Sequence, residues 1–208
     1  MGAIESAISV LHEVFRYLNR DLFNNELSEP ALLIQHQGKK CNSLGWCSSS
    51  EIWSNSDGSI KLHEITICAE YLDRGVLDIC ETLLHEMVHL YCSVNGIKDT
   101  SRGTTYHNKK YRQYAEKYGL NCEHDNKHGW SNTGLKDETK KLIESYKFNQ
   151  DVFKIARMIF DSGNSNGTSG VKRSSMKKFS CDCEIVIRCK QDINVICEDC
   201  GEKFEEVE

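Results

Sequence analysis

Apolar residues recur at three- and four-residue steps from Ile4 through Ile8, Leu11, Val14, Phe15, Leu18 and Leu22, a spacing that predicts an amphipathic helix over about residues 3–20. The pattern then changes. Ala31 to Gln35 (ALLIQ), Leu44 to Trp53 (LGWCSSSEIW) and Lys61 to Cys68 (KLHEITIC) carry β-formers or alternation, are separated by Gly, Asn, Ser and Asp, and predict three short strands. From Val76 the helical step returns through Ile79, Cys80, Leu83, Leu84, Met87, Val88 and Tyr91, with Asn95-Gly96 as its stop. So wide an apolar surface predicts a largely buried helix. Thr104 or Thr105 can cap a further helix, YHNKKYRQYAEKY, which Gly119 would terminate, and a helical tail follows.

Towards the end, DVFKIARMIF (151–160) is too apolar to lie free in water and predicts a helix docked on the core. DSGNSNGTSG (161–170) has almost nothing to bury and reads as a linker. No internal repeat interrupts this order. The expected organisation is an α+β core at 1–160, a flexible and partly basic linker at 161–178, and a cysteine-rich module at 179–208. The core comprises the N-terminal helix, a small three-stranded sheet, the long helix and the one after it.

A chain of 208 residues supports one domain with a real core plus a small appendage. No apolar run approaches the roughly 20 residues needed to cross a bilayer, so no membrane contact is expected. Glu5 and the amphipathic step make the N-terminus a mature helix rather than a leader, which predicts a cytoplasmic protein. The opening MGAIES fits the short myristoylation pattern but runs straight into a helix that needs its apolar face. A net charge of −5 excludes a generally basic nucleic-acid binder and confines any such contact to a local patch. The 11 cysteines divide unevenly: Cys41, Cys47, Cys68, Cys80, Cys92 and Cys122 are scattered like small buried hydrophobes, while five crowd between Cys181 and Cys200. The crowded set reads as metal ligands in a reducing compartment.

The long helix carries TLLHEMVHLY. Two side chains four apart stand about 6 Å apart on one helix face, so His85 and His89 can both reach a single ion at about 2.1 Å. Glu86 lies about 100° around the helix, beside the ion, where it can take a proton rather than ligate. Histidines four apart also occur as ordinary core residues, so a third ligand has to be found. The metzincin pattern fails, since Cys92 and Asn95 stand where its glycine and third histidine belong. Glu116 is one candidate. His107 is the better one, expected in the first turn of the next helix after a 17-residue connection. Cys122, His124 and His128 form a further His/Cys group, read as surface residues.

TLLHEMVHLY, followed by YHNKKYRQYAEKYGL and preceded by LFNNEL, LGWCSSSEIW and HEITIC, resembles the SprT-like (Spartan-type) zinc metallopeptidases over roughly residues 5–130. The resemblance implies a zincin-like core, a zinc held by His85, His89 and His107, an aromatic after the third histidine at Tyr111, and Glu86 as catalytic base. It implies peptide-bond hydrolysis, in which zinc makes a water acidic enough for Glu86 to deprotonate. Eukaryotic relatives cleave proteins attached to DNA, which makes a DNA-associated protein the expected substrate.

Cys181 and Cys183, then Cys197 and Cys200, are two close pairs separated by 13 residues, with EIVIR and INVI as short strands between them. Some 30 residues cannot bury enough surface to fold unaided, and four thiolates on a structural Zn2+ supply what is missing. Cys189 is a spare thiol. Lys172, Arg173, Lys177, Lys178, Arg188 and Lys190 against Asp182 and Glu184 leave a local charge of +4, which marks the linker and ribbon as the expected DNA contact. A second class of function stays open: a nucleic-acid-binding zinc protein whose histidine site is structural.

Overall fold

The computed structural model describes residues 2–36, 43–158, 177–183 and 185–207. The chain divides into two compact units, Met1–Phe160 and Asp161–Glu208.

In the first unit, α1 (Ala3–Leu22) opens with the Gly2 N–H bonded to the Glu5 carboxylate at 2.8 Å, an acid where the helix end is positive. Its stripe of Ala7, Leu11, Val14, Phe15 and Leu18 is almost fully buried. The first sheet holds three strands in the order β1 (Ala31–Gln35), β5 (Glu64–Cys68), β2 (Gly45–Cys47), with β1 parallel and β2 antiparallel to β5. All five residues of β5 are buried, and its one charge is satisfied: Glu64 accepts from Trp53 Nε1 at 2.9 Å and from Thr66 Oγ1 at 3.0 Å. A 3-10 turn (Ala69–Arg74) leads into α2 (Val76–Val94), whose Ile79, Leu83, Leu84, Met87 and Val88 fill the centre of the core.

Two predicted strands are each broken. In LGWCSSSEIW the Ser48-Ser49-Ser50 run carries no β-former, and Ser48 Oγ turns to backbone partners, accepting from Glu64 N–H at 2.8 Å. Beyond the break, β3 (Trp53–Ser54) and β4 (Lys61–Leu62) pair as a separate small hairpin.

A second sheet lies after α2 in the chain, in the order β6 (Thr100–Ser101), β7 (Tyr106–His107), β9 (Gly129–Leu135), β8 (Leu120–Asp125), with α3 (Lys109–Lys117) between β7 and β8. Nothing in the hydropathy pattern announces it, because its strands are polar on both faces and only Leu120, Gly129 and Leu135 are buried. The cap of α3 is Asn108, whose side chain accepts from Lys110 and Tyr111 N–H, in place of Thr104 or Thr105. His107 therefore lies on a strand just ahead of the helix and not in its first turn. After α4 (Asp137–Ser145), the described part of DVFKIARMIF, 151–158, gives a 3-10 turn (Gln150–Phe153) and irregular chain where a docked helix was expected. Phe153 is buried and Arg157 N–H bonds Ala69 O at 2.8 Å, so backbone bonding and one aromatic anchor hold this segment instead.

The second unit has three antiparallel strands in the order β11 (Val186–Cys189), β10 (Lys177–Ser180), β12 (Glu205–Val207). Of the expected INVI strand only an isolated bridge, Ile196 to Lys203, forms. The expected linker falls at 161–176 outside the described residues, as do Lys172 and Arg173. Among the described residues no helix is long and apolar enough to cross a membrane.

Candidate metal centres

The buried face of α2 carries His85 and His89 one turn apart, and β7 brings His107 across to them. The Nε2 of His107 lies 3.1 Å from that of His85 and 2.9 Å from that of His89. Three nitrogens on the vertices of a zinc tetrahedron with bonds of 2.0–2.1 Å would stand about 3.3 Å apart, close to what is found. The partners of the other ring nitrogens assign the tautomers. His85 Nδ1–H donates to Thr133 Oγ1 at 3.1 Å, and that hydroxyl in turn donates to Glu81 at 3.0 Å. His89 Nδ1–H donates to Asp99 Oδ2 at 2.5 Å. Both rings thus aim unprotonated Nε2 lone pairs at one point, the form in which imidazole binds a metal. His107 Nδ1 is buried with no partner among the described residues.

Burial, together with the neighbouring histidines, holds His85 well below the ordinary histidine range. Burial first, then His89, pushes His107 down to about 4. Both are neutral ligands at neutral pH. Tyr111, fully buried on α3, floors the cluster with its ring centroid 4.9, 4.5 and 4.6 Å from those of His85, His89 and His107.

Glu86 projects from the same helix and is 5% exposed. Burial pushes its carboxyl up to about 7; His89 opposes the shift and Asp99 adds to it. A carboxyl with that affinity exchanges protons near neutrality, as a general base must. Two clefts meet here, one of about 990 Å³ towards β8 and β9 and one of about 560 Å³ along β2 and the end of α2. Both are lined by Ser43, Gly45, His85, Glu86, Thr104 and His107, so one groove passes through the cluster. Gly45 permits the close approach of β2: a Cβ there would stand 2.8 Å from Thr66 O and 3.0 Å from Thr82 Cγ2.

In the second unit Cys181, Cys183, Cys197 and Cys200 bring their sulfurs within 4.8 Å of one another. Cys183 Sγ is 3.3 Å from Cys181 Sγ and 3.5 Å from Cys197 Sγ, against about 3.8 Å expected across a tetrahedral site with Zn–S bonds of 2.3 Å. The backbone N–H of Glu202 is the main cause lowering the Cys200 thiol to about 7. Cys189 lies in β11 outside this group. Glu116, the other candidate third ligand, is turned away in an ion pair with Arg112 at 2.7 Å. His124 is an exposed residue bonded to Tyr106 Oη at 3.2 Å; neither it, His128 nor Cys122 joins a metal-like cluster among the described residues.

Asp99, Thr133, Glu81 and Gly45 escaped the reading of the sequence. Only Gly45 carried a signal, since a glycine inside a strand pattern marks a close backbone approach. Residues 11–128 match the model of the SprT-like family. No curated protein and no solved structure matches the chain.

Proposed function

Because the chain belongs to the SprT-like family, we propose that it is a zinc-dependent endopeptidase acting on extended segments of protein substrates, DNA-associated proteins among them. The observation that carries this reading is Glu86, a buried carboxyl that lines the groove beside three converging histidine nitrogens. A purely structural metal has no use for such a group. Zinc, when bound by His85, His89 and His107, supplies Lewis acidity towards a water and a peptide carbonyl. Glu86 takes the proton from the attacking water and returns it to the leaving amine.

The substrate runs through the groove. Among the described residues β2 ends its sheet, so its outer edge can hydrogen-bond to an extended chain. Clefts on both sides of the cluster leave room for residues before and after the scissile bond. The cysteine module, built round a second zinc, is the proposed recruiting element, with Lys178 and Arg188 among the groups offered to phosphate.

The test is cleavage of a DNA-bound basic protein, with and without single-stranded DNA, comparing wild type with Glu86→Gln at matched zinc content. Cleavage by wild type alone supports the peptidase. Equal DNA binding by both proteins with cleavage by neither makes the chain a nucleic-acid-binding zinc protein.

A further inference from the structure

Three groups at the cluster have assigned work: the histidines ligate, Glu86 moves a proton and Tyr111 supports. A hydrolytic site also needs a donor for the oxygen that becomes negative when water adds to the carbonyl. Most hydroxyls that line the larger cleft are committed elsewhere. Ser43 donates to Gly45 O, Thr104 to Gly103 O, Thr105 to Arg102 O and Thr133 to Glu81.

His128 is different. It lines the cleft that His85, Glu86 and His107 line, it is exposed, and its ring makes no hydrogen bond among the described residues. Its backbone is held from both sides. Asp125 Oδ1 accepts from the N–H of Lys127 at 2.8 Å and of His128 at 2.6 Å, closing the β8–β9 turn. The His128 carbonyl accepts the N–H of His107 at 2.9 Å. The next residue, Gly129, has φ of 72°, and a Cβ there would lie 2.1 Å from His107 O, so no side chain wedges the two strands apart. His128 is thereby registered beside the strand that delivers the third ligand, its carbonyl bonded to the His107 N–H.

We infer that His128 is a further catalytic residue, its imidazole N–H donating to the carbonyl oxygen as that oxygen becomes an oxyanion; this rests on the peptidase reading above. Water oxygen bonds to the carbonyl carbon, the C=O π pair moves onto oxygen, and Glu86 holds the proton released. When the C=O re-forms, the C–N bond breaks and Glu86 protonates the nitrogen. His128 remains an N–H donor throughout.

The experiment compares zinc-loaded wild type with His128→Ala, His128→Gln and Asn126→Ala, a turn residue outside the cleft lining. His128→Ala should lower kcat about 100-fold with KM and zinc content preserved. His128→Gln, which keeps a donor, should recover part of the loss, and Asn126→Ala, in the same turn, should leave kcat within about twofold. A second readout needs no turnover: a phosphinic peptide, tetrahedral and anionic, should bind His128→Ala about 100-fold more weakly by calorimetry. Binding of the parent peptide to Glu86→Gln should not change when His128→Ala is added. Unaltered kcat and phosphinate affinity in His128→Ala, a loss confined to KM, or loss of zinc would each overturn the assignment. A wild type that cleaves nothing and ignores the phosphinate overturns the peptidase reading, and this inference with it.

Discussion

The two metal centres are built in opposite ways. The histidine cluster hangs on elements that a core already holds: His85 and His89 share α2 with Leu83, Leu84, Met87 and Val88, all at 0% exposure. Among the described residues of the second unit the buried apolar and thiol residues are Phe179, Cys181 and Cys197, while Val186, Val195 and Ile196 face solvent. In the first unit the fold makes the site. In the second an ion held by the four sulfurs would make the fold, replacing the core that so short a segment lacks. A site that contributes little to folding is free to keep an open position for chemistry, whereas one that supports the fold must be closed.

Chelation should separate the two most sharply. Removing metal should collapse residues 177–207 to a chain without amide dispersion in NMR spectra, since binding worth about 10–16 kcal/mol is also the folding energy there. The first unit should keep its cooperative unfolding, and simultaneous melting of both units would falsify the contrast. Tyr111→Ala tests the other half: it should cost about 3–5 kcal/mol in urea unfolding of metal-free protein, showing that the histidine centre leans on packing. Thr133→Val should leave the fold intact but weaken zinc binding about 10–100-fold, because His85 loses the acceptor that fixes its tautomer, and Thr133→Ser should restore it. Cys189→Ser should change ribbon stability by no more than about 0.5 kcal/mol, the mark of a thiol outside the cluster. A larger loss would mean that Cys189 exchanges with one of the four.

Much of the molecule is legible in its sequence where chemistry and periodicity coincide. α1 and α2 follow their apolar steps to within a few residues, and His85, Glu86, His89 and the cysteine pairs announce themselves by spacing. The second sheet does not. Strands such as Leu120–Asp125 (LNCEHD) bury one residue, so no alternation reports them, and they are held by backbone pairing with β9 across a short turn. The partners of the ligand histidines are hidden for a related reason: Thr133 lies 48 residues from His85, and only the fold brings the two within reach. Asn108 takes the cap because its side chain serves two N–H groups at once and also ties down Lys98 O.

The β8–β9 hairpin sets the size of the working part. The candidate ligands run from His85 to His107 and the family match stops at residue 128, yet Gly129 pairs with His107 and Thr133 steadies His85. Anyone transplanting this centre onto another scaffold would have to lift everything from Gly45 to Thr133. The portable piece is set by who holds the histidines, and ending it at the matched segment would carry the three ligands across without the residue that orients the first of them.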